Sequence, residues 1–152
     1  MAHHPHLDQL AGKLFHFFSR TEYALKVSGF NKGDGAAEAD WRAFALAVEA
    51  VIANPTSPEL KEAIEFFFNA PPKKQIIVSG VIQWETSEPD TDSKADKLLV
   101  YVRRVRNNLF HGGKFNGRWF EPERSEPLLR HSLTILRACV ESVPSVQEAY
   151  HG

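Results

Sequence analysis

Apolar residues recur at three- and four-residue spacing through most of this chain, a rhythm that predicts a mainly helical protein. Leu7, Ala11, Leu14, Phe18 and Leu25 trace one face of a first helix that runs to about Ser28, where Gly29 stops it. Glu22 falls on this stripe, where a leucine would be expected. After a Gly-containing loop, Asp40 is placed to cap a second helix with Trp41, Phe44, Ala45, Val48 and Ile52 facing inward. Asn54-Pro55-Thr56 breaks that helix. Ser57 as cap and Pro58 in the first turn then start a third helix, which runs through Phe68 and ends at Pro71-Pro72.

The rhythm changes in the next segment. Ile76-Ile77-Val78 and Val81-Ile82 are β-branched and flank Ser79-Gly80, the pattern of a short hairpin with a two-residue turn. The acidic stretch 85–92 contains Pro89 and reads as a loop. Ser93, with Asp96 three residues on, forms a capping box that opens a long helix carrying Ala95, Leu98, Val102, Val105 and Leu109 inward. Gly112-Gly113 is placed to end it near Phe110 or His111. Asn116-Gly117 marks a tight turn. Glu126-Pro127 suits the first turn of a last helix with Leu129, Leu133, Leu136, Val140 and Val143 as its stripe, and Pro144 kinks or ends it. The expectation is one domain over 1–152, an up-and-down bundle of about five helices with a short β-hairpin or irregular insertion.

On a wheel of the long helix, Arg106 lies within about 60° of the centre of the apolar stripe and so points toward the packed face. His111 lies roughly 140° away, on the side of Asn107 and Arg103. A guanidinium on a packed face needs a partner, because an unpaired buried charge costs several kcal/mol. Glu22, the carboxylate on the first helix's inward stripe, is the expected partner. Arg106 and His111 cannot meet on a straight helix. They converge only if the last turn unwinds at Gly112-Gly113, or if the stripe faces a second copy of the chain.

Composition narrows the function without naming it. The 152 residues carry 18 Lys and Arg against 19 Asp and Glu, a net charge of -1, so no global field points to nucleic acid or membrane. The single cysteine, Cys139, excludes an internal disulfide and suits a reducing cytoplasm. No apolar run approaches the roughly 20 residues that span a bilayer, and the N-terminus does not read as a signal peptide. The expected location is therefore cytoplasmic. No His, Cys, Asp or Glu spacing suits zinc, and no Gly-rich phosphate loop or nucleophile elbow occurs, so no metal or cofactor is expected. His16 and His131 lie near the apolar stripes and read as structural.

Locally the charge is lopsided. Lys97, Arg103, Arg104, Arg106, Lys114 and Arg118 occur with no Asp or Glu between Asp96 and Glu121, and Tyr101, Phe110, Phe115, Trp119 and Phe120 are interleaved with them. Cations for phosphates and rings for bases are what binding of single-stranded RNA requires, which makes Arg103, Arg104, Lys114 and Arg118 candidate RNA contacts. An arginine can stabilise the charge of a phosphorane, and a histidine can move protons near neutral pH. Arg106 and His111 therefore suffice for cleavage of RNA by its own 2′-hydroxyl. An incidental motif on a helical protein-interaction partner is the plainer alternative.

Arg106-Asn107-Asn108-Leu109-Phe110-His111 resembles the signature of the HEPN superfamily, an arginine, a polar residue and a histidine near the end of a late helix. Extended through Gly112-Gly113-Lys114, it resembles small bacterial HEPN-like proteins. So do Phe18-Ser19-Arg20-Thr21-Glu22-Tyr23-Ala24-Leu25-Lys26 and, further on, Ala39-Asp40-Trp41. The resemblance implies a metal-independent endoribonuclease of a toxin–antitoxin, phage-defence or stress system, acting as a homodimer, with an antitoxin or other protein as a further partner. It implies that Arg106 stabilises the transition state, His111 acts as acid or base, and Asn107 orients them. The assignment of Glu22 as orienter of Arg106 comes from helix register alone. Gly113 departs from the pattern, since many active members carry a tyrosine there. Non-catalytic members that bind RNA, a nucleotide or a partner make binding without cleavage the alternative.

Overall fold

Gly29 ends the first helix by taking a left-handed conformation, φ 97°, which costs glycine nothing. The Phe30 amide then donates back to the Leu25 carbonyl at 2.9 Å, closing the helix end, and the Phe30 ring meets Phe44 edge-on. The computed structural model describes residues 5–110, 114–115, 118–119 and 122–152.

Helix α1 (Pro5–Val27) is followed by α2 (Trp41–Ala47) and α3 (Glu49–Ala53), then by α4 (Pro58–Asn69). The caps read from sequence are made: Asp40 Oδ1 accepts from the Ala43 amide at 3.0 Å, and Ser57 Oγ accepts from the Leu60 amide at 3.1 Å. The hairpin also forms. Strands β1 (Lys74–Val78) and β2 (Val81–Glu85) pair antiparallel across Ser79 and Gly80, both at positive φ (51° and 77°), as a two-residue mirror-image turn requires. Helix α5 (Lys94–Phe110) carries the motif. The short strands β3 (Lys114–Phe115) and β4 (Arg118–Trp119) pair next, and α6 (Pro122–Ser142) and α7 (Pro144–His151) complete the chain.

Three boundaries differ from expectation. The second expected helix divides at Val48, whose φ of −104° and ψ of 10° leave the helical region. The periodicity reads through this break because Phe44 and Ile52 stay buried on either side of it and Val48 is buried at it. The last long helix begins at Pro122, so Pro127 lies inside it, just past the first turn, where a missing amide removes only one early hydrogen bond. Pro144 does end that helix, but it also starts α7, with Val143 as the residue before the first turn. The chain is thus mainly α, with seven helices among the described residues instead of about five. The expected turn at Asn116-Gly117 and the stop at Gly112-Gly113 lie outside the described residues.

Helix α1 packs along α6 and α7, α4 packs on α6, and α5 lies among α1, α2, α3, α4 and α6. One apolar cluster runs from Leu7 to Val146, with Phe44, Phe67, Leu14, Leu98 and Leu136 wholly enclosed. Truncating an enclosed phenylalanine to alanine removes about 3–5 kcal/mol. The core grips α5 through Ala95, Leu98, Leu99, Val102 and Val105. Its first turn is held by Glu49, whose carboxylate accepts from Ser93 Oγ at 2.8 Å and from the Ala95 amide at 3.1 Å. Ser93 Oγ in turn accepts from the Asp96 amide at 3.0 Å. Negative charge at a helix N-terminus is favourable, and here it comes from a different helix. The rest of α5 is thereby fixed relative to α1 and α2.

Candidate functional site

Two arginines one turn apart on α5 each rest on an aromatic ring. The Arg103 guanidinium lies 5.7 Å from the centre of the Trp41 ring, and that of Arg106 lies 5.3 Å from Phe18. The two rings touch each other, with centroids 5.1 Å apart and planes tilted by 30°. Phe18 is buried and belongs to the apolar stripe of α1, while Arg106 itself is half-buried. The head of Arg106 also donates through Nη1 to Asn107 Oδ1 at 3.0 Å.

Glu22 is half-buried, one turn beyond Phe18 on the same stripe. Its Oε2 accepts a hydrogen bond from Trp41 Nε1 at 3.1 Å. Burial pulls the Arg103 pKa down from its usual value, and the nearby carboxylates of Asp96 and Glu22 oppose that shift. Arginine stays protonated regardless, so Arg103 presents a poorly hydrated charge that an anion can meet at low desolvation cost. Asp96, itself buried, pairs with Arg42 Nη1 at 3.4 Å.

On the outer side of α5, an open groove of about 400 Å³ runs between the helix and β1. Lys74, Arg103 and Arg104 give it three cations, Gln75, Asn107 and Asn108 give it three amides, and Val100 completes it. Among the described residues no carboxylate lines it. Asn108 Nδ2 donates to the Lys73 carbonyl at 2.8 Å, which ties the start of the hairpin to the helix. Arg104 lies over Tyr101, 5.6 Å to the ring centre, and donates to the Ser87 carbonyl. A concave surface of guanidinium, ammonium and amide groups suits phosphate oxygens and the polar edges of bases.

Arg103, Arg104 and Asn107, all read from sequence, meet in this groove, and the Arg106–Asn107 hydrogen bond joins the motif arginine to its rim. Lys74, Gln75 and Asn108 complete it and were not anticipated. Their signal lay in the hairpin register, which sets Lys74 and Gln75 at the start of β1. His111 and Phe120 lie outside the described residues. Lys114 and Arg118 fall in β3 and β4, paired through Phe115↔Arg118 and Lys114↔Trp119. Tyr101, expected among the exposed rings, is instead buried in the core. Among the described residues, Trp84 on β2 and Tyr23 on α1 are exposed rings, and Trp84 belongs to the strand pair beside the groove. His131 is buried against the Phe66 ring, 4.7 Å between centroids, as its structural reading implied, while His16 faces solvent.

Among the described residues, no group of three His, Cys, Asp or Glu side chains is placed to hold a metal ion. No helix among them is long and apolar enough to cross a membrane. Comparison with protein-family models, with curated proteins and with solved structures finds no match for the chain.

Proposed function

We propose that this protein is a metal-independent endoribonuclease of HEPN type, which holds RNA along the groove of α5 and cleaves it at Arg106 and His111. The observation that carries the reading is the groove of cations and amides, with Arg103, Arg104 and Asn107 on the motif helix and Arg106 bonded to its rim. Phosphates of an RNA strand would lie against Arg103, Arg104 and Lys74. Arg106, steadied by Phe18 and Asn107, meets the charge that develops on phosphorus.

The reaction needs no added reagent. The 2′-oxygen bonds to the adjacent phosphorus as its proton passes to a neutral His111, and the bond to the 5′-oxygen breaks as that oxygen takes a proton from a protonated histidine. A homodimer supplies both histidines and lets Arg106 of one copy act beside His111 of the other, which the wheel of a single helix forbids. Lys114 and Arg118, after the motif in sequence, are the further candidate RNA contacts. Such a nuclease would work in the cytoplasm, in a toxin–antitoxin, phage-defence or stress system, with an antitoxin as protein partner.

Incubating the purified protein with RNA in EDTA tests this. Cleavage by the wild type that is lost in His111→Ala supports it; the absence of cleavage, or cleavage unchanged in His111→Ala, overturns it. The second reading, an RNA-binding module that does not cut, rests on the groove alone, since its cations and amides need no catalytic group to hold a strand. Salt-sensitive binding without turnover would decide for it.

A further inference from the structure

The β1–β2 hairpin carries more exposed apolar surface than any other described element. Ile77 is 73% exposed, Ile82 59% and Trp84 43%, with Val78 and Val81 also open at the turn. An isolated two-stranded hairpin is at best marginally stable, and an uncovered apolar strand is a hazard, so this face calls for an occupant. The register shows where it leads. Gln75 pairs with Trp84 and Ile77 with Ile82, and directly opposed residues project on one face of the ladder. Gln75 also lines the basic groove. The face bearing Trp84, Ile82 and Ile77 is therefore continuous with the cations and amides of α5, and Asn108 holds the hairpin in that position through the Lys73 carbonyl.

We propose that this hairpin face is a base-stacking subsite for an unpaired nucleic-acid strand, with Trp84 as the platform for a base whose flanking phosphates lie in the groove. The inference rests on the RNA reading of that groove and narrows it to single strands. A cationic channel beside an exposed ring takes a strand whose bases are splayed, because the phosphates and a π-face are then engaged together. In a duplex the bases are stacked on one another and give Trp84 no free face. Ile82 and Ile77 flank the ring and exclude water around the stacked base. Charge complementarity selects this occupant, since a nucleic-acid strand brings phosphates to the cations of the groove and an apolar peptide does not.

Fluorescence anisotropy with a labelled 2′-O-methyl oligouridine, which has no 2′-hydroxyl to attack, tests the subsite on the full chain. Trp84→Ala is expected to weaken binding by about tenfold, as loss of one stacked base does, while Trp84→Phe retains most of the affinity. An abasic strand of the same length should bind the wild type more weakly and be insensitive to Trp84→Ala, so that the two losses do not add. The same strand annealed to oligoadenosine should bind less well and also ignore Trp84→Ala. The weaker binding of the abasic and duplex strands is read on the wild type, so that part of the test holds even if Trp84→Ala unfolds the hairpin. Affinity unchanged in Trp84→Ala but lowered in Arg104→Ala overturns the subsite and leaves the groove standing. A variant that changes from dimer to monomer in sedimentation with unaltered RNA affinity also overturns it, and makes the face a contact between copies. If the wild type binds no strand at all, the groove reading falls and the subsite with it.

Discussion

Arg106 Nη1 and Asn107 Oδ1 are 3.0 Å apart, so adjacent residues of α5, whose side chains leave the helix in different directions, join heads at the groove's rim. The Phe18 ring fixes the guanidinium from the other side. Asn107→Ala is therefore expected to release Arg106 and slow RNA cleavage by roughly tenfold to a hundredfold, the worth of a hydrogen bond to a charged group. Single-turnover cleavage at saturating protein measures this. Asn107→Asp should recover less than Asn107→Gln, because a carboxylate in the groove repels phosphate.

Arg104 is expected to contact a phosphate. Removing one such contact lowers the slope of log affinity against log salt by about 0.7 for a single strand. Titrations of wild type and Arg104→Ala over a range of salt read that change directly. An equal affinity loss at every salt concentration would place Arg104 in a structural role through the Ser87 carbonyl instead.

Glu49 links the fold to the site by holding the first turn of α5. Glu49→Ala leaves Ser93 Oγ and the Ala95 amide without their acceptor, and should cost about 1–2 kcal/mol. Urea unfolding with an unchanged m-value would register it.

His131 sets a pH dependence of stability. Burial and the neighbouring Arg130 lower its pKa below the usual histidine value, against the opposing pull of Glu62 and Glu126. A base with a lowered folded pKa binds fewer protons folded than unfolded between the two values. Its contribution is fully present above the unfolded value, 6.5, and is lost as pH falls toward the folded one. Urea midpoints should drop between pH 7.5 and pH 5 by more in the wild type than in His131→Gln.

Cys139 is wholly buried, and burial pushes its thiol pKa up to about 12. It should resist iodoacetamide in the native protein and react once urea unfolds the chain. Rapid native labelling would contradict the packing of α6.

Most of the helices and the hairpin were legible because their signals are local. Asp40, Ser57 and Ser93 cap the helices they were read to cap, and Ser79-Gly80 turns the hairpin. The break at Val48 was not legible, since one residue outside helical geometry leaves the spacing of buried positions intact. Pro122 and Pro144 both sit where helices begin, and nothing in the apolar period distinguishes a proline that stops one helix from one that also starts the next. The candidate site divides the same way. Arg103, Arg104, Arg106 and Asn107 share one helix, so their nearness to one another follows from local spacing. Asn108 is on that helix too, but Lys74 and Gln75 meet them only because a hairpin closes beside α5, a long-range relation that the spacing along α5 does not encode. Glu22 is half-buried, and the indole of Trp41 that donates to it comes from α2, a pairing between helices that the spacing of α1 does not encode.

The most direct test of cleavage by the RNA's own 2′-hydroxyl is the chemistry of the product ends. A single-stranded RNA incubated in EDTA with the wild type is expected to give fragments ending in a 2′,3′-cyclic phosphate and a 5′-hydroxyl. The 2′-O-methyl strand should bind and stay intact, and His111→Ala should bind RNA without cutting it. Fragments ending in a 5′-phosphate, cleavage of the 2′-O-methyl strand, or an intact RNA with the wild type would contradict it.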